Sequence, residues 1–435
     1  MQDFFFRMSR LRSTILGYYI PSFFEMHIDT YHNDMTTTHL PLKDMTTLFH
    51  EYIHFLQDFT TYYGLNGLYV HSEYLHSVVN RIYSLNTNQV KVPFEIQDNR
   101  DNVLLNKQIK RLTEGDTADL SELIITDILE DEDCLMDNPY MQSIPNVIIN
   151  PESDMLVFGA EAIKENMAYL MERCCSPQGF AKSPEFPYMA AEKVADYYVN
   201  DYSNDPLMVL ALCDMCLMSS NPGSCFVRVM KGIRDGALTF SKPEDIYDHF
   251  YSQIAVFADG RQQSGLLVNY KHFLGIVESQ LKSYLRDMPI VSSYYDWIDR
   301  LVAFALDWRE NDPYFLLKMA SHDDLATNGC FGKTVHDVGT PLMSNNNIGH
   351  YFKVVPHGAK VDMDVEYFKV FQEIENVFLG GNFECHLYDW CCDSPKANPC
   401  ELCKTAPWRK CTDPQLCPFA LTWRHWKLSD IEPVK

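Results

Sequence analysis

Positive charge is scarce in this sequence. Lysine and arginine number 36 against 59 aspartates and glutamates, a net charge of −23, so most of the surface would repel a phosphate backbone and nucleic acid is excluded as an expected partner. A long apolar run is also missing. The stretch MQDFFFRMSRLRSTILGYYIPSFF interrupts its apolar residues with Asp3, Arg7, Arg10 and Arg12, leaving nothing long enough for a signal peptide or a membrane span. The expectation is a cytoplasmic chain with no membrane partner. Internal repeats and low-complexity tracts are absent as well, which argues against a solenoid or a fibrous protein. Fourteen cysteines in a long chain without an export signal are better explained by metal ligation or burial than by disulfides.

What is present is material for a core: 46% of residues are apolar and 13% aromatic, which makes extended disorder an unsuitable description. The length suits two or three domains or one large enzyme domain. Residues 1–39 read as irregular and strand-like, ending in FFEMHIDTYH with partial alternation. A helix is expected from near Pro41 to Gly64, where glycine would close it. Residues 84–152, polar and acidic with proline breaks, read as an inserted or loosely structured segment. From DMLVFGAEAIKENMAYLMERCC to about residue 320 the periodicity is mainly helical. The last 51 residues, 385–435, gather Cys, Pro and Trp into what reads as a compact appendage. The fold class predicted is α+β with helix dominant: residues 1–384 as the main domain, with 176–384 its mainly helical part, and 385–435 as a Cys-rich segment.

One helix carries the chemistry. In LPLKDMTTLFHEYIHFLQDFTTYYG, Met45, Leu48, Phe49, Tyr52, Phe55, Leu56, Phe59 and Tyr63 share a core-facing stripe, while His50, His54, Gln57 and Thr61 fall opposite. Imidazoles one turn apart on one face can converge on a single ion, and Glu51, about 100° round the helix, can reach a water beside it without being a ligand. The plainer alternative is two solvated histidines on an exposed face. The HEYIH motif and its helix resemble the zincin metallopeptidases. The resemblance implies that His50 and His54 hold zinc, that Glu51 is the general base, and that a protein or peptide substrate lies along the upstream MHIDTYH strand. A regulatory protein partner is left open.

The continuation HExxHxxGxxH is not met, because Gln57 and Thr60 stand where glycine and histidine are required, so a metzincin is excluded. A glutamate from a later helix, as in gluzincins, is the next option. In GAEAIKENMAYLMER, Ile163, Met167, Leu170, Met171 and Cys174 form an apolar stripe, with Glu161, Glu165, Ala168 and Glu172 opposite. Within it ENMA resembles the glutamate-x-x-small pattern of gluzincin ligand helices, which implies Glu165 as third zinc ligand with Ala168 giving the active-site helix room. Glu161 is the next candidate, and Glu161, Glu172 or Asp58 could orient a ligating histidine. The gap of 111 residues from His54 to Glu165 exceeds the usual one, which is why 84–152 reads as an insertion. A solvated acidic face remains the alternative for this stripe.

Two further patterns stay open. Cys400, Cys403, Cys411 and Cys417, with Cys391, Cys392 or His386 as substitutes, could hold a second, structural zinc, or be free thiols, or ligate an iron–sulfur cluster. Glu51/His54 and Glu73/His76 both have the i, i+3 form of di-iron carboxylate enzymes. Cys213 and Cys216 read as core packing, and TNGCFGKT lacks the first glycine and the strand of a phosphate-binding loop. The functional expectation is a zinc metalloprotease, with a di-iron enzyme or a non-catalytic, zinc-stabilised interaction protein as alternatives.

Overall fold

The structure is a computed structural model and describes residues 16–32, 40–85, 87–96, 102–134, 143–150, 152, 155–178, 182–256, 262–288, 292–322, 324–347, 349–359, 366–393, 398–413 and 417–435. Residues 1–15 and 33–39 of the expected strand-like N-terminal stretch lie outside them. Helix dominates, with four small sheets among the described residues, which is the α+β class expected. No helix among the described residues is long and apolar enough to cross a membrane.

The motif helix, α1 (Leu42–Thr60), starts directly after Pro41. Its expected core stripe is buried throughout, from Met45 to Phe59. It stops earlier than the glycine suggests. Thr61 turns to an extended conformation (φ −114°, ψ 151°), its hydroxyl donates to the Gln57 carbonyl at 2.7 Å, and it accepts from the Gly64 amide at 3.0 Å. Thr61 thereby caps a second helix, α2 (Tyr62–Ser84). Gly64 lies inside the first turn of α2, where a Cβ would fall 2.2 Å from the Gln57 carbonyl oxygen and 2.5 Å from the Asp58 Cα. Its glycine is required by close helix approach, not by helix termination.

The chain upstream forms β1 (Gly17–Ile20) and β2 (Glu25–Ile28), antiparallel, with Gly17 opposite Ile28. Downstream follow β3 (Gln89–Lys91), α3 (Asn102–Glu114), β4 (Ile128–Cys134), β5 (Ser143–Ile149) and β6 (Leu156–Val157). The segment expected to be loosely structured is thus folded where described. It buries Val90, Val92, Leu123, Val147 and Ile149 in the common core, and α3 packs along α2. The helix α4 (Ala160–Cys175) then lies across α1. It is buried on both faces: Glu161, Glu165 and Glu172 are 2%, 8% and 9% exposed. The acidic stripe faces protein, so the solvated-face alternative does not describe it.

Later helices close the bundle: α5 (Pro206–Cys216), α6 (Gly265–Ser283) and α7 (Ser292–Asn311). Cys213 and Cys216, on α5, are fully buried, as expected. The last carbonyls of α1 need donors because the helix offers none. Tyr270 on α6 donates to Phe59 O at 2.6 Å, and Arg309 Nε on α7 donates to Thr60 O at 2.6 Å. The same guanidinium grips both oxygens of Asp214 on α5, at 2.7 and 2.8 Å, with both side chains fully buried.

Two strands, β7 (Leu342–Ser344) and β8 (Tyr351–Phe352), complete a four-stranded sheet of order β1-β2-β7-β8. The MHIDTYH stretch therefore supplies an inner strand: β2 pairs with β1 on one side and runs parallel to β7 on the other. A substrate strand cannot add there. Helix α8 (Glu366–Gly380), helix α9 (Pro418–His425) and β9 (Glu432–Val434) finish the chain. The C-terminal segment packs into the main core: Trp423 on α9 stacks on Phe378 of α8 with ring centroids 5.0 Å apart, and β9 pairs in parallel with β3.

Candidate metal centre

The middle of α1 places His50, Glu51 and His54 towards a cavity of about 520 Å³, and α4 faces them with Glu165. His50 Nε2 and His54 Nε2 are 3.2 Å apart. Glu165 Oε2 lies 3.4 Å from the first and 3.6 Å from the second. Donors held 2.0–2.1 Å from a tetrahedral zinc sit about 3.3 Å from one another, so the triangle has the size that one such ion requires. Among the described residues this is the group of histidine, cysteine or carboxylate side chains that comes close enough to share an ion. The Glu73/His76 pair does not join it. Glu73 accepts from Gln280, and His76 lies against Tyr284 with ring centroids 4.5 Å apart, both on the α6 side. Of the candidate cysteines in the C-terminal segment, Cys391, Cys400, Cys403 and Cys417 are neighbours, with the Cys400 amide donating to Cys403 Sγ at 3.5 Å, but among the described residues they are not drawn close enough together to share an ion. Cys400 Sγ lies 3.7 Å from Lys410 Nζ, while Cys411 donates to Ser429 O at 3.8 Å.

The remaining ring nitrogens fix how the imidazoles face. His50 Nδ1 is 3.1 Å from Glu172 Oε2, and His54 Nδ1 is 2.9 Å from Gln57 Oε1. Both partners are acceptors, so each Nδ1 carries a hydrogen and each Nε2 is turned towards the other and towards Glu165. Gln57 is itself held by its Nε2 donating to Lys164 O at 3.1 Å. Of the three orienting carboxylates expected, Glu172 has the role and the others do not. Asp58 accepts from Tyr19 at 2.8 Å, and Glu161 pairs with Lys164 at 3.0 Å. Gln57, three residues after His54 on the same face, was legible as its partner from spacing alone.

Electrostatics favour positive charge at this point. Burial opposes charge on His50, but hydrogen bonds to Glu165 and Glu172 outweigh it and hold the imidazole well above its ordinary value. His54 is raised in the same way, burial being overcome chiefly by Glu165. Glu51, 6% exposed, adds to both shifts. Behind the centre, burial would raise Glu114, yet Lys164 and Lys110 prevail and hold it at about 2. Asp58 is pushed up to about 6 by burial, against Tyr19 and Lys164. Strand β1 closes in over the motif at Gly17, whose Cβ would fall 2.7 Å from Thr47 and 3.2 Å from Glu51. Tyr188 stands against His50 with ring centroids 6.0 Å apart. Nothing in the sequence singled it out among 25 tyrosines.

No protein-family model, curated protein or solved structure matches the chain. The reading of function therefore rests on this geometry. Two imidazoles, once deprotonated, and one carboxylate, converging beside a cavity, make a donor set that can hold a metal ion.

Proposed function

We propose that the chain is a zinc-dependent metallopeptidase of the HExxH type, with His50, His54 and Glu165 as ligands and Glu51 as general base. The observation that carries the reading is the donor triangle of 3.2, 3.4 and 3.6 Å beside a buried glutamate that is not part of it. Two nitrogens and one oxygen suit zinc, and three protein ligands leave one position for the reaction. Zinc, when bound, supplies the Lewis acidity that lowers the pKa of water to about 7 and polarises a carbonyl.

The chain's own groups supply the rest. Glu172 and Gln57 keep the imidazoles in the ligating tautomer. Glu51 takes a proton from the attacking water and returns it to the leaving amine. Tyr188, the phenol beside His50, is assigned as donor to the oxyanion that develops on the scissile carbonyl. The cavity shields these transfers from bulk water. The substrate is a peptide or protein.

Glu51→Gln tests the reading, because it removes the base while leaving the three ligands in place. The variant should retain about the wild-type zinc content and lose peptide hydrolysis by a factor of about 10²–10⁴. Full hydrolysis by the zinc-loaded variant would refute the assignment.

A further inference from the structure

The cavity that holds the centre runs past it to the faces of α2 and α8. Nine carboxylates line the whole cavity, against three lysines and no arginine. The lysines are already engaged. Lys164 pairs with Glu114 at 2.5 Å, Lys110 lies 3.4 Å from the same carboxylate, and Lys369 pairs with Glu25 at 2.9 Å. The far arm is left rich in acceptors. Glu375 lies 3.0 Å from His71 Nε2, its side chain 4% exposed. Next to it Asn376 is 3% exposed, and its Oδ1 has no hydrogen-bond partner although it is buried in the cavity wall. A buried acceptor without a donor is rare and costly in a folded chain. It marks a place where a ligand's N–H can be received. The approach is apolar: Phe23 and Val70 line it, with the Phe23 ring edge-on to His71 at 4.8 Å. At the mouth Glu384 and Asp389 add negative charge.

An apolar approach ending in a carboxylate and an unsatisfied carbonyl oxygen matches one kind of side chain: a methylene stem with a cationic head that carries several donors. We propose that this arm is a specificity subsite for a lysine or arginine side chain of the peptide substrate, received by Glu375 and Asn376. The inference rests on the metallopeptidase reading, and it adds a substrate class: peptides cut beside a basic residue.

The test uses the full chain, zinc-loaded, with Glu51→Gln so that bound peptide persists. Capped alanine-based pentapeptides carrying one central lysine, norleucine or glutamate are titrated calorimetrically. The lysine peptide should bind at least about tenfold more tightly than its norleucine counterpart, and the glutamate peptide least of all. Adding Glu375→Gln should abolish the lysine preference and leave norleucine binding unchanged. Equal affinity for lysine and norleucine peptides, or no binding of either, overturns the subsite, and that comparison needs no change at Glu375. Hydrolysis by the unsubstituted enzyme separates the two claims. Lysine-selective binding without any cleavage would sink the peptidase reading and keep the subsite, whereas cleavage with no basic preference would do the reverse.

Discussion

At His50 and His54 a proton and the proposed metal ion would compete for the same lone pairs. Both imidazoles lie above their ordinary value of 6.5, because the carboxylates around them outweigh burial. A raised value means that protonation stabilises the metal-free fold below the ordinary pKa, and that this contribution is lost as pH rises through the raised one. Zinc needs both rings neutral, so at pH 7 its uptake should expel protons, and apparent affinity should weaken as pH falls. Calorimetric titration in two buffers of different ionisation enthalpy measures the release; zinc binding with no proton released would contradict the charge assignment. The convergence of His50 and His54 was legible in the sequence because i, i+4 spacing fixes a shared face whatever else the helix touches. Glu165 was legible for the same reason, as one of a stripe. The roles of Asp58 and Glu161 were not, because each has a nearer partner, Tyr19 and Lys164, brought in from elsewhere in the fold.

The helix α1 was readable in its start and its stripe, and misread at its end. Gly64 looked like a terminator, but Thr61 supplies the break and Gly64 serves the packing of α2 on α1. What holds that end is also remote in sequence. Arg309 joins Thr60 O to Asp214 across three helices, with no exposure on either side chain. Arg309→Leu strands a buried carboxylate and should destabilise the fold by about 3–5 kcal/mol in urea unfolding. The double variant Asp214→Leu/Arg309→Leu should be less destabilised than Arg309→Leu alone, since replacing both charges removes the unpaired ion. A double variant that is the weaker of the two would show that the pair is not what sets the cost. Strand positions were the least legible: FFEMHIDTYH alternates like a half-exposed strand, yet its order in the sheet depends on β7, more than 300 residues away.

Over the whole molecule, composition anticipated a large core and helix dominance, while the connectivity of the ends lay beyond it. Clustered cysteines suggested a metal-stapled appendage, but Trp423, Trp408, Phe419 and Leu428 of this segment are buried in the common core. Trp426 Nε1 donates to Tyr284 O at 2.7 Å, and His386 pairs with Glu373 at 3.0 Å. Packing of this kind does not depend on a metal. Chelator treatment is therefore expected to leave residues 385–435 as resistant to limited proteolysis as in the untreated protein, and selective cleavage there after chelation would show a structural metal. The polar segment 84–152 misled for a similar reason. One of its charges is spent inside: Glu114 meets Lys164 at 2.5 Å and Tyr63 at 2.8 Å, a pairing across 50 residues that local composition does not reveal.

The central claim is that His50, His54 and Glu165 together hold one zinc ion. Metal content per chain after zinc loading and exhaustive dialysis, measured on the unsubstituted protein, Glu165→Ala and Glu161→Ala, tests it most directly. The account predicts about one zinc in the unsubstituted chain, about one in Glu161→Ala, and loss of the tightly held ion in Glu165→Ala, because only Glu165 closes the donor triangle. Zinc retained in full by Glu165→Ala, or lost from Glu161→Ala instead, would contradict it.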